Sequence, residues 1–214
     1  MDLKGRKSEM ARRIATGFYD FENDNKRFRS DLKSVNYNLS ELNLGGASLR
    51  HADLSGVRLH GTNLGGSNLG YARLNGASLE IANLGGANLG YADLSGAMMR
   101  GVNASGVYFG YARMKKAGLV DSYLWGSFLR GCDLRMADIS RAYLRGSDLK
   151  GADLRGTKFE GADMHGSSIV GVRIAKKSAV SLLAAAGIMD NEDVVRADMD
   201  VVLERCRRLG MRFS

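Results

Sequence analysis

The sequence predicts an all-β repeat solenoid, a four-sided coil of about seven rungs with short helical flanks at both ends. Three observations predict it. Every fifth residue from Leu39 to Ile174 is a large apolar side chain, with Ala104 the one exception, and the phase holds through 28 units. A period of five fits neither the helical 3.6 nor the strand 2.0, which leaves a repeat architecture. A second period, of twenty, lies over the first: residues 43–46, 63–66 and 83–86 all read Asn-Leu-Gly-Gly, and Leu-Gly-Tyr-Ala recurs at 69–72 and 89–92. Four units per rung turn four corners and return the chain above its start. Finally, seventeen glycines, Gly46, Gly66 and Gly126 among them, stand two residues after the large side chain, where a tight corner requires positive φ.

The N-terminal flank, residues 1–35, reads as a helical cap. Met10, Ile14 and Phe18 fall at helical spacing behind an N-cap at Ser8, and Phe21 and Phe28 offer more apolar surface to the first rung. In the coil itself, residues 36–175, a mostly small residue such as Ala47, Ala52 or Ala92 stands two positions before the large one, and Cys132 takes one of these inward places. Rungs are expected to pair as parallel strands about 4.8 Å apart. The absence of proline suits a coil in which every unit donates its amide to a neighbour.

The C-terminal flank, residues 176–214, reads as a helical hairpin. A short apolar helix over 178–186 stops at Gly187, and a second runs from a cap at Asp190 to about Leu209, with Gly210 ending it. Val195, Met199, Val202, Cys206 and Leu209 share one face of that second helix. An open coil exposes strand edges, so this face is expected to close the last rung. The alternative use is pairing with a second chain, which leaves monomer and homodimer both open.

The net charge is +8, divided as nine bases against six acids in 1–35, fifteen against eleven in 36–174 and seven against six in 175–214. No apolar stretch is long enough to span a bilayer, and the basic N-terminus lacks the apolar core of a secretory signal, so a cytoplasmic protein is expected. His51, His60 and His165 stand apart on outward positions with no cysteine or carboxylate at a ligand spacing. The Gly-Gly pairs precede no helix that could aim at a phosphate. The sequence thus points to no catalytic, metal or cofactor site.

Stacked by twenty, Asp53, Arg73, Asp93, Arg113, Asp133, Asp153 and Arg173 form one outward column, and His51, Tyr71, Tyr91 and Tyr111 another. Both read as scaffold. Near the middle the surface departs from small and polar. Tyr108, Tyr111, Tyr123, Trp125, Phe128 and Tyr143 are expected to form an aromatic patch around one corner, with Arg130 and Arg145 beside it, as at a protein interface. Bases over 130–158 are interleaved with Asp133, Asp138, Asp148 and Asp153, which argues against a nucleic-acid partner.

Ala-Asp-Leu-Ser-Gly at 52–56 and 92–96, Ala-Asn-Leu-Gly-Gly at 82–86 and Ala-Asp-Leu-Arg-Gly at 152–156 resemble the pentapeptide-repeat proteins. That resemblance implies a right-handed quadrilateral β-helix and a protein-binding scaffold, without fixing the partner. It also implies two alternatives: contact with DNA gyrase or a related topoisomerase of the quinolone-protection kind, and a translocated bacterial effector. Gyrase protection by DNA mimicry calls for a surface dense in carboxylates and a Phe-rich inner column. This coil has more bases than acids and only Phe109 and Phe159 among its large inner positions.

Overall fold

The computed structural model of the chain describes residues 2–188 and 199–213. Between Asn38 and Arg173 the backbone forms a ladder of parallel bridges in which each residue pairs with the one twenty positions on. Four columns result, one per side of the coil: side one begins at Asn38, side two at Asn43, side three at Ser48 and side four at Asp53. Every fifth residue from Leu39 to Ile174, the large inner phase, is at most 5% exposed, Ala104 included. The hydrogen bonds follow one rule. Leu44 N–H donates to the Asn63 carbonyl above it at 2.7 Å, while Asn63 N–H donates to the Leu42 carbonyl below at 2.9 Å.

Most of the inward small positions that carry a hydroxyl or thiol also bond between rungs, whereas the buried hydroxyls of Ser67 and Ser127 have no partner among the described residues. Thr62 Oγ1 donates to the Leu39 carbonyl at 2.9 Å, Ser122 to Met99 at 2.8 Å, and Cys132 Sγ to Phe109 at 2.9 Å. A polar atom bonded in this way costs little, because its partner is the backbone of the preceding rung. Burial raises the Cys132 thiol to about 12, despite backbone hydrogen bonds that favour the thiolate. Cys206 is buried and raised by the same cause.

All twenty-seven corner positions from 41 to 171 sit at positive φ. Seventeen are the glycines noted in the sequence; the other ten are not glycine. Ile81, at φ 56° and 64% exposed, is the costliest of these, since a β-branched side chain is the least suited to the left-handed region. Replacing Ile81 by Gly removes roughly 1–2 kcal/mol of backbone strain and gives back about 0.5–1 kcal/mol through the freer unfolded chain. The expected net gain is about 1 kcal/mol, read as a melting temperature higher by about 2–4 °C. A lower melting temperature would show that the Ile81 side chain is needed where it stands.

The flanks meet the coil with side chains as well as helices. Helix α1, Leu3–Ala15, starts six residues earlier than the sequence suggests, because Asp2 Oδ1 accepts from Gly5 N–H at 2.7 Å and supplies the cap. Ser8 instead lies inside the helix, its hydroxyl donating to the Lys4 carbonyl. Met10 and Ile14 are buried, but Gly17 at φ 67° ends the turn and leaves Phe18 exposed, with the Arg27 guanidinium 4.4 Å from its ring. A second helix, α2, covers Asn25–Ser34 and buries Phe28 and Leu32; the five-residue rhythm begins only after it and gave no sign of it. Tyr19, Phe21 and Phe28 pack ring to ring at 4.9–5.6 Å.

This flank supplies the partners that a missing rung would have offered. Asn25 Oδ1 accepts from Asp53 N–H at 2.8 Å, Lys7 Nζ reaches the Ser40 carbonyl at 2.7 Å, and Arg29 reaches the Ser55 carbonyl at 2.9 Å. At the other end β1, Arg173–Ile174, pairs in parallel with β2, Arg212–Phe213, so that β2 continues side four beyond the last rung. Helix α3, Ala179–Ala185, lies over side two, with Met164 N–H bonded to the Ala185 carbonyl at 2.8 Å. Helix α4, Met199–Arg208, buries Val202 and Cys206 and packs Leu209 against the core. Asp190 and Val195 lie outside the described residues, as does the side chain of Met199.

Candidate interaction surface

On side two, Asn43, Asn63, Asn83 and Asn103 form an amide ladder, each Nδ2 donating to the Oδ1 below at 2.8–3.1 Å. The ladder stops where the residue type changes to Tyr123 and Tyr143. These rings stack at 5.3 Å with 7° between planes, and Trp125 at the next corner meets both edge-on, at 5.5 and 6.0 Å. Side three changes at the same height, from Asn68 and Asn88 to Tyr108 and Phe128. Around its far corner His51, Tyr71, Tyr91 and Tyr111 stack at 5.0–5.4 Å.

Glycine makes room for two of these rings. A Cβ on Gly90 would lie 2.7 Å from the Tyr108 ring, and one on Gly131 would lie 2.6 Å from that of Tyr111. Tyr108 and Tyr111 therefore lie flat against backbone, which fixes them without a pocket. Among the described residues no ring pair joins Phe128 to the others. The structure thus brings Tyr123, Trp125 and Tyr143 into one cluster and spreads the remaining three across side three to its far corner. What the sequence placed around one corner is a belt spanning one side and both its corners. All six aromatic residues are 41–51% exposed.

The basic neighbours differ. Arg145 Nε donates to Asp163 at 2.5 Å, so its charge is already engaged. Burial opposes ionisation of Asp163, but hydrogen bonds from the side chain and backbone of His165 and from Arg145 outweigh it and hold the carboxyl below its ordinary range. Arg130 is exposed and has no ion-pair partner among the described residues. The histidines are scattered: His165 Nδ1 is 2.8 Å from Asp163 and His51 Nε2 is 3.3 Å from Glu22. No group of three His, Cys, Asp or Glu is placed to hold a metal among the described residues.

The carboxylates of the coil have a structural task that the sequence reading missed. Asp53, Asp93, Asp133, Asp138, Asp148, Asp153 and Asp163 each accept from the backbone N–H two residues on, at 3.0–3.3 Å. Asn43, Asn63, Asn68 and Asn83 do the same. The signal was available as the interchange of Asp and Asn at one phase of the repeat, since only an oxygen at the γ position is common to both. Seven of the eleven coil acids are committed to turns in this way.

No helix among the described residues is long and apolar enough to cross a membrane. The pentapeptide repeats family matches the chain in eight copies, over residues 38–70, 59–97, 77–115, 112–151 and 137–174. No curated protein matches it. Among solved structures it is similar to HetL, a pentapeptide repeat protein involved in heterocyst differentiation regulation from the cyanobacterium Nostoc sp. strain PCC 7120, at 26% identity over 65% of this chain and 73% of that one, with a TM-score of 0.45. A pentapeptide repeat protein of the Arabidopsis thaliana thylakoid lumen is 24% identical over 61% of this chain and 77% of that one, with a TM-score of 0.44. The plasmid-mediated fluoroquinolone resistance protein QnrB1 is 18% identical over 70% and 87% of the two chains, with a TM-score of 0.37. With its repeats matched from residue 38 to residue 174, well over half of its length, the chain belongs to the pentapeptide-repeat family, whose fold is the right-handed quadrilateral β-helix.

Proposed function

We propose that this protein is a non-catalytic interaction scaffold, a coil of about seven rungs over 36–175 closed by the flanks 1–35 and 176–214, that binds another protein through its aromatic belt. One observation carries the reading. Six aromatic side chains, each about half exposed, lie within two rungs of a coil whose outer positions below Tyr123 and Tyr108 are the asparagines Asn103 and Asn88. Rigid rings held against backbone lose little freedom on binding, which is what an interface anchor needs. The inward burial of Val202 and Cys206 supports the C-terminal helices as a cap, and hence a monomer, over a dimer face.

A double substitution, Trp125→Ala with Phe128→Ala, tests the belt. Partners captured by the wild type should be recovered at least tenfold less well by the variant, with unchanged circular dichroism. Equal recovery would place the interface elsewhere. The topoisomerase reading by DNA mimicry is less well supported, since carboxylates bound to backbone amides and arginines do not present the free anionic rows that imitate phosphates. Absence of binding to purified gyrase in a DNA-free assay is the result expected.

A further inference from the structure

The periodic fold sorts the charges that the sequence interleaves. Side four and its two corners carry ten of the fifteen coil bases but only four of the eleven acids, while the other three sides carry five bases and seven acids. One side of the rod is therefore strongly positive and the remainder slightly negative. The bases gather toward the C-terminal end. Arg113 and Arg173 lie on the side itself, Lys115, Arg135 and Arg155 follow one another along one corner, and Arg130 and Lys150 along the other. Strand β2 extends the same side, because Arg212 pairs in register with Arg173 and is exposed.

The four acids on this side do not cancel that charge for an incoming ligand. Asp53, Asp93, Asp133 and Asp153 are held down by the backbone amides two residues on. Asp133 and Asp153 are also each clasped by two nitrogens of Arg135 and Arg155, at 2.6–2.8 Å. The Asp153 side chain is only 12% exposed, against 37% for Arg155 and 53% for Arg173. A shallow depression of about 250 Å³ lies here, with Arg135, Arg155 and Arg173 at its rim. Lys115, Lys116, Arg130 and Lys150 are exposed and have no ion-pair partner among the described residues.

From this geometry we infer that side four is a binding surface for the phosphodiester backbone of duplex nucleic acid, read without regard to base sequence. Phosphate chemistry fits better than base recognition. The side is a flat strand surface that enters no groove, and the tyrosines at its corner are stacked on one another, which leaves no open ring faces for bases. Exposed bases in rows along a rod meet a linear polyanion, with counterion release as the driving force. This surface is distinct from the aromatic belt, sharing only Arg130 and Tyr111 with it.

The test uses the full chain and a labelled mixed-sequence DNA duplex of about 20 base pairs, followed by fluorescence anisotropy, with an RNA duplex of equal length as a second arm. Four phosphate contacts give a log–log salt slope of about −3.6, a loss of about 100-fold in affinity between 50 and 200 mM salt. The variant Lys115→Glu, Lys116→Glu, Arg130→Glu, Lys150→Glu should lose at least tenfold in affinity at 50 mM salt. A control with the same charge change on the N-terminal flank, Lys4→Glu, Arg6→Glu, Lys26→Glu, Lys33→Glu, should lose less than threefold, and glutamine at the four side-four positions should give an intermediate loss. Equal losses in variant and control would reduce the effect to net charge and overturn the proposal. So would absence of duplex binding at 50 mM salt, including the case in which a polyglutamate peptide binds instead and marks the side as a site for acidic protein. Trp125→Ala with Phe128→Ala should leave duplex binding unchanged, which separates failure of this inference from failure of the aromatic belt.

Discussion

Phe109→Ala is expected to lower the unfolding free energy by about 3–5 kcal/mol, the cost of emptying a fully buried aromatic site. The ring is wholly buried on a rung whose inner positions are Met99, Ala104, Phe109 and Met114. Ala104 is the one small residue in the large phase, and the ring on the same rung offsets the missing volume. That pairing makes the prediction sharper than a generic core deletion. Ala104→Leu alone should cost about 1–3 kcal/mol by overpacking, and Phe109→Leu alone should leave a cavity. Combined, they should be less destabilising than the sum of the two, since the volume returns. Urea denaturation read by circular dichroism gives all three values. A cost below about 1 kcal/mol for Phe109→Ala, or strict additivity in the double variant, would show that the two positions do not compensate.

The second large effect is acid unfolding. In Asp133 the bonded Arg135 guanidinium holds the carboxyl below its ordinary range in spite of burial. In Asp153 burial opposes ionisation, but the Arg155 side chain, its amide and the nearby Arg135 prevail. Asp53 follows the same pattern, with burial overcome by Ser55, Arg29 and Arg73. Each depressed carboxyl favours the folded state above its unfolded pKa of about 3.9, and that contribution is lost as pH falls through the lower folded value. Stability should therefore stay level from pH 7 to pH 5 and fall steeply below about pH 4. Asp153→Asn keeps an oxygen for the Arg155 amide but removes the titration, so its unfolding curve should lie lower at pH 7 and fall less between pH 5 and pH 2. Parallel curves for wild type and variant would assign the acid transition to other groups.

The interior was almost wholly legible in the chain, because a large residue every fifth position can be buried in only one way once the corners turn together. Leu39 through Ile174 needed nothing but that rhythm. The ends were less so. Asp2 and Ser8 are both competent caps, and the choice between them depended on how far α1 must reach to lay Met10 and Ile14 on the first rung. Helix α2 has only Phe28 and Leu32 as buried anchors, too few to stand out beside its charged residues. The outer surface needed the second period. Tyr123 and Tyr143 are far apart in the chain but touch in the coil, and Arg135 comes within 3.9 Å of Asp153 on the next rung. Reading by position within twenty exposes such pairs, whereas reading along the chain mixes four surfaces into one.

The pairing of each residue with the one twenty positions on also decides which length changes the gene can absorb. Five extra residues inserted at a corner would keep every leucine inward, so the coil would still close. Yet every column above the insertion would advance by a quarter turn: placed just after Arg113 it would pass the later bases to the neighbouring side, and placed between Tyr123 and Tyr143 it would take Tyr143 from its place over Tyr123. Duplication or loss of twenty residues, by contrast, lengthens or shortens the rod while each side keeps its character. The interior counts in fives and the exterior in twenties, so the lineage of this protein can drift in its outer chemistry through changes to which its core is blind.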